Sequence, residues 1–305
     1  MTTTVADDIC TIACIFSHDR NPVRMENLRR LCEGLHCQGI PVFFAELAYG
    51  NTPFLIDPEI ALIQSRSSNR MWHKERLLNN LVKYLPDKFS KVVWADTDLI
   101  FVDDSWMNIA SEKLDDFQVI QPYATAVRLN AGQTYACDTD TRITSFGKCY
   151  ASSRFDLSAG VDIHGHTGFA WAAHREFLES VGLFEYCISG SGDHLMAHGF
   201  LGDVSSYCIE RHLLGAPKYK KRFSQWATRA AARTKLRIGY VESEILHLFH
   251  GKHDGNAYMR RGYELLQSGF NPDTDMQIDK NGLFEITRFN HALKAWQIHH
   301  FGEGK

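Results

Sequence analysis

Lys91-Val92-Val93-Trp94-Ala95-Asp96-Thr97-Asp98-Leu99-Ile100-Phe101-Val102 is the stretch on which the reading of the chain turns. The apolar run up to Ala95 reads as a strand buried on both faces, and a second apolar run resumes at Leu99. Between them stand two carboxylates. In open α/β sheets ligands bind outside the carboxyl ends of the strands. Carboxylates leaving a buried strand are costly there unless something cationic meets them. In an extended backbone Asp96 and Asp98 point to one side, and their oxygens suit Mn²⁺ or Mg²⁺. The competing reading is a strand-end turn with an Asx cap on the next segment.

Working outward, residues 70–85 carry Leu77, Leu78, Leu81, Val82 and Leu85 as an apolar stripe ahead of Pro86, which predicts a helix feeding the strand. At the start of the chain Ile9-Cys10-Thr11-Ile12-Ala13-Cys14-Ile15-Phe16 reads as another buried strand. Asn21-Pro22 supplies an N-cap and a first-turn proline. Met25, Leu28, Cys32 and Leu35 then share one helical face, Gly39 is placed to stop the helix, and Pro41–Ala45 reads as a second strand. The opening is a βαβ unit, so the chain is expected to be α/β.

The 305 residues suffice for a sizeable core; 44% are hydrophobic, 23% are charged, and the net charge is −3. No apolar run approaches the roughly 18 residues of a membrane span. MTTTVADDIC has no basic region leading into an apolar one, so no secretory leader is expected and the location reads as cytoplasmic. Collagenous, coiled-coil, transmembrane and disordered classes are excluded. Eight cysteines are spread thinly over the chain and read as reduced thiols, including the pairs Cys10/Cys14 and Cys32/Cys37.

Two downstream segments complete the pattern. The first runs Gly165-His166-Thr167-Gly168-Phe169-Ala170-Trp171-Ala172-Ala173, then a helix ending near Gly182, then Gly190-Ser191-Gly192-Asp193. The second is His247-Leu248-Phe249-His250-Gly251, followed by Arg260, Arg261 and Tyr263. With Asp96-Thr97-Asp98, their order resembles the metal-dependent nucleotide-sugar glycosyltransferases of the GT-A fold. The likeness is to inverting members such as the β-1,4-galactosyltransferases and related bacterial and phage enzymes, and it covers roughly residues 9–265. It implies a Rossmann-like mixed sheet flanked by helices, a nucleotide-diphosphate sugar donor (a UDP-sugar first, with GDP as the other nucleotide), and Mn²⁺ or Mg²⁺ as cofactor. Hexosyl or pentosyl transfer to an acceptor hydroxyl is the implied activity.

By that resemblance Asp98 and His250 are expected as metal ligands, with Asp96 touching the ribose or reaching the metal through water. Asp193 is expected as general base, although the family's Glu-Asp pair is here a lone Asp193 followed by His194, which also reads as a helix N-cap. The retaining relatives' His-x-x-Gly-x-x-Lys-Pro-Trp ending is absent, which favours inversion. His247 is a second-shell partner or an alternative ligand, and His253 extends the series without keeping all three histidines on one face. Phe16, Ser17, Glu46, Asn69, Lys74, Asn79 and Thr97 are expected around the donor. His166, Gly168, Trp171 and Trp226 are expected around the acceptor, with His164 nearby and unassigned. Trp171 reads equally well as core.

From Arg211 to Tyr240 there are nine Lys or Arg and no Asp or Glu. Tyr219, Phe223 and Trp226 interleave with these cations, a pattern that suits nucleic acid, a loop over a diphosphate, or a solvated face. A glycan, a small molecule or a modified nucleobase therefore all stand as acceptors, with a non-catalytic nucleic-acid module as the alternative. Nucleotidyl transfer to a sugar phosphate ranks lower, because Phe16–Pro22 contains no glycine to cradle phosphates. A transferase domain is expected over 1–266, with a donor half to about 105 and an acceptor half from 106, and a C-terminal extension over 267–305.

Overall fold

The apolar octamer at the start forms β1 (Ile9–Phe16), and the expected βαβ opening follows with α1 (Pro22–Cys37) and β2 (Val42–Tyr49). Asn21 caps α1 by accepting from the Val23 amide, and Gly39 takes a φ of +70° just past the helix end. Leu28 and Leu35 are buried as the spacing requires, joined by Leu31, while Met25 and Cys32 stay at the margin. The computed structural model describes residues 5–17, 21–213, 215–251, 255–287 and 289–302. His253 lies outside them.

Next come β3 (Ala61–Ser67), α2 (Lys74–Val82), β4 (Lys91–Ala95) and β5 (Leu99–Phe101). They are followed by α3 (Trp106–Asp116), β6 (Val119–Gln121), β7 (Thr125–Arg128), β8 (Thr141–Thr144) and the short helices α4 (Phe146–Tyr150) and α5 (Val161–His164). The chain continues through β9 (Ala170–His174), α6 (Arg175–Ser180), α7 (Gly192–Phe200), α8 (Tyr207–Leu213) and α9 (Pro217–Thr234). It closes with β10 (Gly239–Tyr240), β11 (Glu244–His247), α10 (Gly255–Gln267), β12 (Met276–Ile278), β13 (Phe284–Ile286) and α11 (His291–Phe301).

A seven-stranded mixed sheet runs β10-β6-β9-β4-β1-β2-β3. Strands β4, β1, β2 and β3 are parallel, and β9 lies antiparallel between β4 and β6. Helices cover both faces: Cys10, Ile12, Val92 and Trp94 enter one cluster with Leu77, Leu78 and Leu81 of α2, while Ile9, Val93 and Ala95 enter another with Leu31, Leu35 and Trp106. The continuous apolar runs in β1 and β4 exist because each face has its own core. A second, four-stranded sheet runs β5-β11-β7-β8. Since β4 belongs to the first sheet and β5 to the second, Asp96-Thr97-Asp98 is the corner where the chain passes between them.

The basic segment is a helix. In α9, Tyr219, Phe223, Trp226 and Ala230 fall at spacings of four, three and four and are buried, while Lys220, Arg222 and Arg233 pair with Glu210, Asp273 and Glu176. Its aromatic residues pack inward and offer no platform for stacking a base. The segment after residue 266 packs back on both sides of the chain before it: Gln297 donates to the Arg70 carbonyl and Arg76 to that of Gly282, while Trp296 donates to that of Arg261. All eight cysteines are free, and burial pushes the Cys10 and Cys14 thiols up to about 12. Among the described residues no helix is long and apolar enough to cross a membrane.

Candidate active site

A cleft of about 320 Å³ opens at the carboxyl ends of β1 and β4. Its walls bring together ten of the residues singled out in the sequence: Phe16, Lys74, Asp96, Thr97, Asp98, His166, Gly168, Asp193, His247 and His250. These come from distant segments, and strand register explains why they meet. Strand β9 runs antiparallel to β4, with Ala95 opposite Ala170, so Gly168 and Phe169 at its start lie beside Asp96, whose amide donates to the Phe169 carbonyl. Strand β11 runs antiparallel to β5, with His247 opposite Leu99, which sets His247 beside Asp98. Strand β11 is also parallel to β7, with His247 opposite Arg128, which carries that guanidinium into the same wall.

The two aspartates of the corner have different partners. Residues 96–98 lie in a turn and not in the extended backbone that would aim both side chains together. Asp96 Oδ1 accepts from Lys74 Nζ at 2.6 Å, whereas Asp98 Oδ2 faces His247 Nε2 at 3.7 Å and His250 Nε2 at 3.6 Å. One ligand atom each from Asp98, His247 and His250 lies within 4.8 Å of the others. Asp98 Oδ1 is buried without a hydrogen-bond partner. Burial, then the charge of Asp96, pushes the Asp98 carboxyl up to about 7, and burial, then His250, drops His247 to about 3. A buried carboxylate short of a counter-charge beside an uncharged imidazole is a donor set that fits a divalent cation. His247 is as close to Asp98 as His250 is, so both stand in the first rank.

On the other side, Lys74 binds Asp193 as well, Nζ to Oδ2 at 3.2 Å. Burial opposes the charge of this lysine, but Asp193, Asp96 and Glu75 outweigh it and hold the ammonium well above its ordinary range. Burial raises the Asp193 carboxyl, against the pull of Lys74 and with the help of Asp96. Asp193 is not the N-cap of α7. Ser191 holds that position, and Asp193 sits in the first helical turn. The approach is strained, with Ser191 at a φ of +66° and Phe169, across the cleft wall, at +76°.

Six expected residues lie elsewhere. Glu46 is buried and accepts from Ser17 Oγ, from the Leu55 and Ile56 amides and from Gln64, so Ser17 and Glu46 pin the loop after β2. Asn79 is clamped to both backbone groups of Leu183 and to Glu185; positions 74 and 79 are about 140° apart around a helix and cannot face one cleft. The Asn69 side chain meets the Ile286 amide, and Trp171 and Trp226 are core residues whose indole N–H groups go to the Thr167 and Gly182 carbonyls. The cleft also contains Cys14, Arg24, Trp72, Arg128 and His194, which sequence reasoning passed over. Only Arg24 carried a local signal, a cation in the first turn of the helix that follows β1.

No protein-family model matches the sequence, and no curated protein matches it. The chain is similar in fold to solved nucleotide-sugar transferases. TarS 1–349 of S. aureus matches with a TM-score of 0.45 and 9% identity, over 86% of this chain and 63% of that one. The catalytic domain of Drosophila β1,4-galactosyltransferase 7, in complex with xylobiose, matches with a TM-score of 0.40 and 8% identity, over 96% and 99%. A mutant of that enzyme, in complex with manganese, UDP-Gal and xylobiose, matches with a TM-score of 0.39 and 9% identity, over 94% and 98%.

Proposed function

We propose that this cleft transfers a sugar from a nucleoside diphosphate donor, a UDP-sugar in the first instance, to an acceptor hydroxyl with inversion at the anomeric carbon. The observation that carries the reading is the joint placement of Asp98, His247 and His250 with the Lys74-bridged pair Asp96 and Asp193 in one cleft. Asp98, His247 and His250 would hold Mn²⁺ or Mg²⁺, which neutralises charge on the departing diphosphate when bound. Arg24 and Arg128 add fixed positive charge to the same wall, and Arg128 Nε is buried without a partner. Phe16 and Trp72, with ring centroids 5.7 Å apart, form an apolar flank suited to a nucleobase.

In the reaction the acceptor oxygen bonds to the anomeric carbon, the bond to the diphosphate oxygen breaks, and Asp193 takes the acceptor's proton. Its carboxyl is raised by burial, which increases its basicity, and it is held in place by Lys74. Calorimetric titration of UDP and of GDP into metal-free protein, with and without Mn²⁺, tests the donor assignment. One nucleotide should bind only with the ion, and Asp98→Ala should abolish that dependence. Folded protein that binds neither nucleotide in either condition would refute the reading.

A further inference from the structure

A second cluster of histidines adjoins the cleft, whose wall includes one of them, His194. His194 and His198 stand four residues apart on α7 and therefore on one face, and His164 ends α5 opposite them. One ring nitrogen from each of the three lies within 4.8 Å of the other two. His198 is fully buried and His164 nearly so. The ring centroids are 4.6 Å apart for His194 and His198, 5.4 Å for His164 and His198, and 5.6 Å for His164 and His194.

Hydrogen bonding settles what two of these rings present. His198 Nδ1 meets Asp203 Oδ2 at 2.7 Å, and His164 Nδ1 meets the Gly165 carbonyl at 2.8 Å. A carbonyl only accepts. Burial opposes the charge of Asp203, but hydrogen bonds from His198, Ser206 and Ser205 outweigh it and hold the carboxyl at about 2, so it too accepts. Nδ1 therefore carries the proton in both rings, and in the neutral imidazole Nε2 is left as a bare lone pair. Nε2 of His198 and Nε2 of His194 are both buried with no hydrogen-bond partner. Burial drops the His194 and His164 imidazoles below their ordinary range, which keeps them uncharged. Three imidazoles crowd together, with Nε2 of His194 and of His198 orphaned and His198 also braced by a carboxylate, an arrangement that fits a metal ion.

We infer that His164, His194 and His198 form a Zn²⁺ site separate from the Asp98, His247 and His250 group and adjoining the cleft through His194, with Asp203 orienting His198. Imidazole donors suit zinc, and three of them leave a fourth position for water or for His212, whose ring centroid is 4.6 Å from that of His194. The ion would tie α5 to α7, the helix whose first turn carries Asp193, so its role is structural support of that turn.

The test is zinc stoichiometry in the purified 305-residue chain, stripped with a chelator and titrated with Zn²⁺ alone against a chromophoric competitor. The Asp98→Ala/His250→Ala double variant removes the cleft site and should still bind one ion. His198→Gln should lose that ion, and Asp203→Asn should weaken it by roughly 10–100-fold. His194→Gln, at a partly exposed position, carries the test if His198→Gln fails to fold. Co²⁺ in place of Zn²⁺ should give the intense visible absorption of a four-coordinate site in the double variant. No ion bound by the double variant, or affinity unchanged in folded His194→Gln, would overturn the assignment and leave three histidines in ring contact with one another.

Discussion

Lys74 Nζ stands 3.2 Å from Asp193 Oδ2 while donating to Asp96 at 2.6 Å, so one buried ammonium ties the metal-side corner to the proposed base. Removing it leaves Asp96 and Asp193, both partly buried, without the cation they share. Lys74→Met should therefore cost about 3–5 kcal/mol of stability. Urea denaturation reads this directly, and a loss below about 1 kcal/mol would show that the pair contributes little.

Glu75, the next residue, is buried against Gly192, and its Oε1 lacks a partner. Burial, then the charge of Asp193, pushes its carboxyl up to about 8 from an ordinary 4.5. Between those values the unfolded chain has released a proton that the folded chain retains, so stability falls as pH rises through the window. Glu75→Gln removes this term. The melting temperature of the variant should gain on the parent from about pH 5 to about pH 8, and a pH-independent difference would contradict the assignment.

Gly192 has no room for a side chain, since a Cβ there would lie 2.4 Å from Glu75 Oε1. Gly192→Ala should destabilise by about 1–3 kcal/mol and displace the turn that carries Asp193. Ser191→Gly, one residue earlier, should act oppositely: it relieves a φ of +66° and should stabilise by about 1 kcal/mol. Thermal unfolding of both variants checks the pair of signs.

His247 and His250 face Asp98 at nearly equal distances, so their alanine variants should lose Mn²⁺ affinity to similar extents, each by about tenfold or more, or about 1.4 kcal/mol. Titration monitored by Mn²⁺ electron paramagnetic resonance separates this from a supporting role for His247, in which only His250→Ala would lose the ion.

Asp193→Asn should lower turnover by about 10²–10⁴ while nucleotide and metal affinity stay near the parent's. A fall in binding equal to the fall in turnover would make Asp193 a structural partner of Lys74 and nothing more.

Much of this architecture was legible locally. The unbroken apolar runs of β1 and β4, the Asn21-Pro22 cap and the stripe on α2 follow from burial and helical period, which neighbouring residues alone determine. Asp96, Asp98, Asp193 and His250 were also visible, because polar groups at the ends of apolar strands or among glycines stand out against their surroundings. The aromatic residues of the basic segment misled, since spacings of four, three and four suit an inward helical face as well as a binding surface.

What the sequence determined by itself was the alternation of strands and helices and the presence of carboxylates where strands end, because these depend on short-range periodicity and solvation. Only the tertiary structure decided which polar residues meet. Arg128 enters the cleft through its register with His247, Asn79 turns away through the helical rotation from Lys74, and Glu46 is consumed by the loop at Leu55 and Ile56. The meetings of Arg128 with His247 and of Asn79 with Leu183 join segments more than a hundred residues apart, while Glu46 turns to a loop nearby in the chain; strand register and packing set these contacts, and no local pattern encodes them.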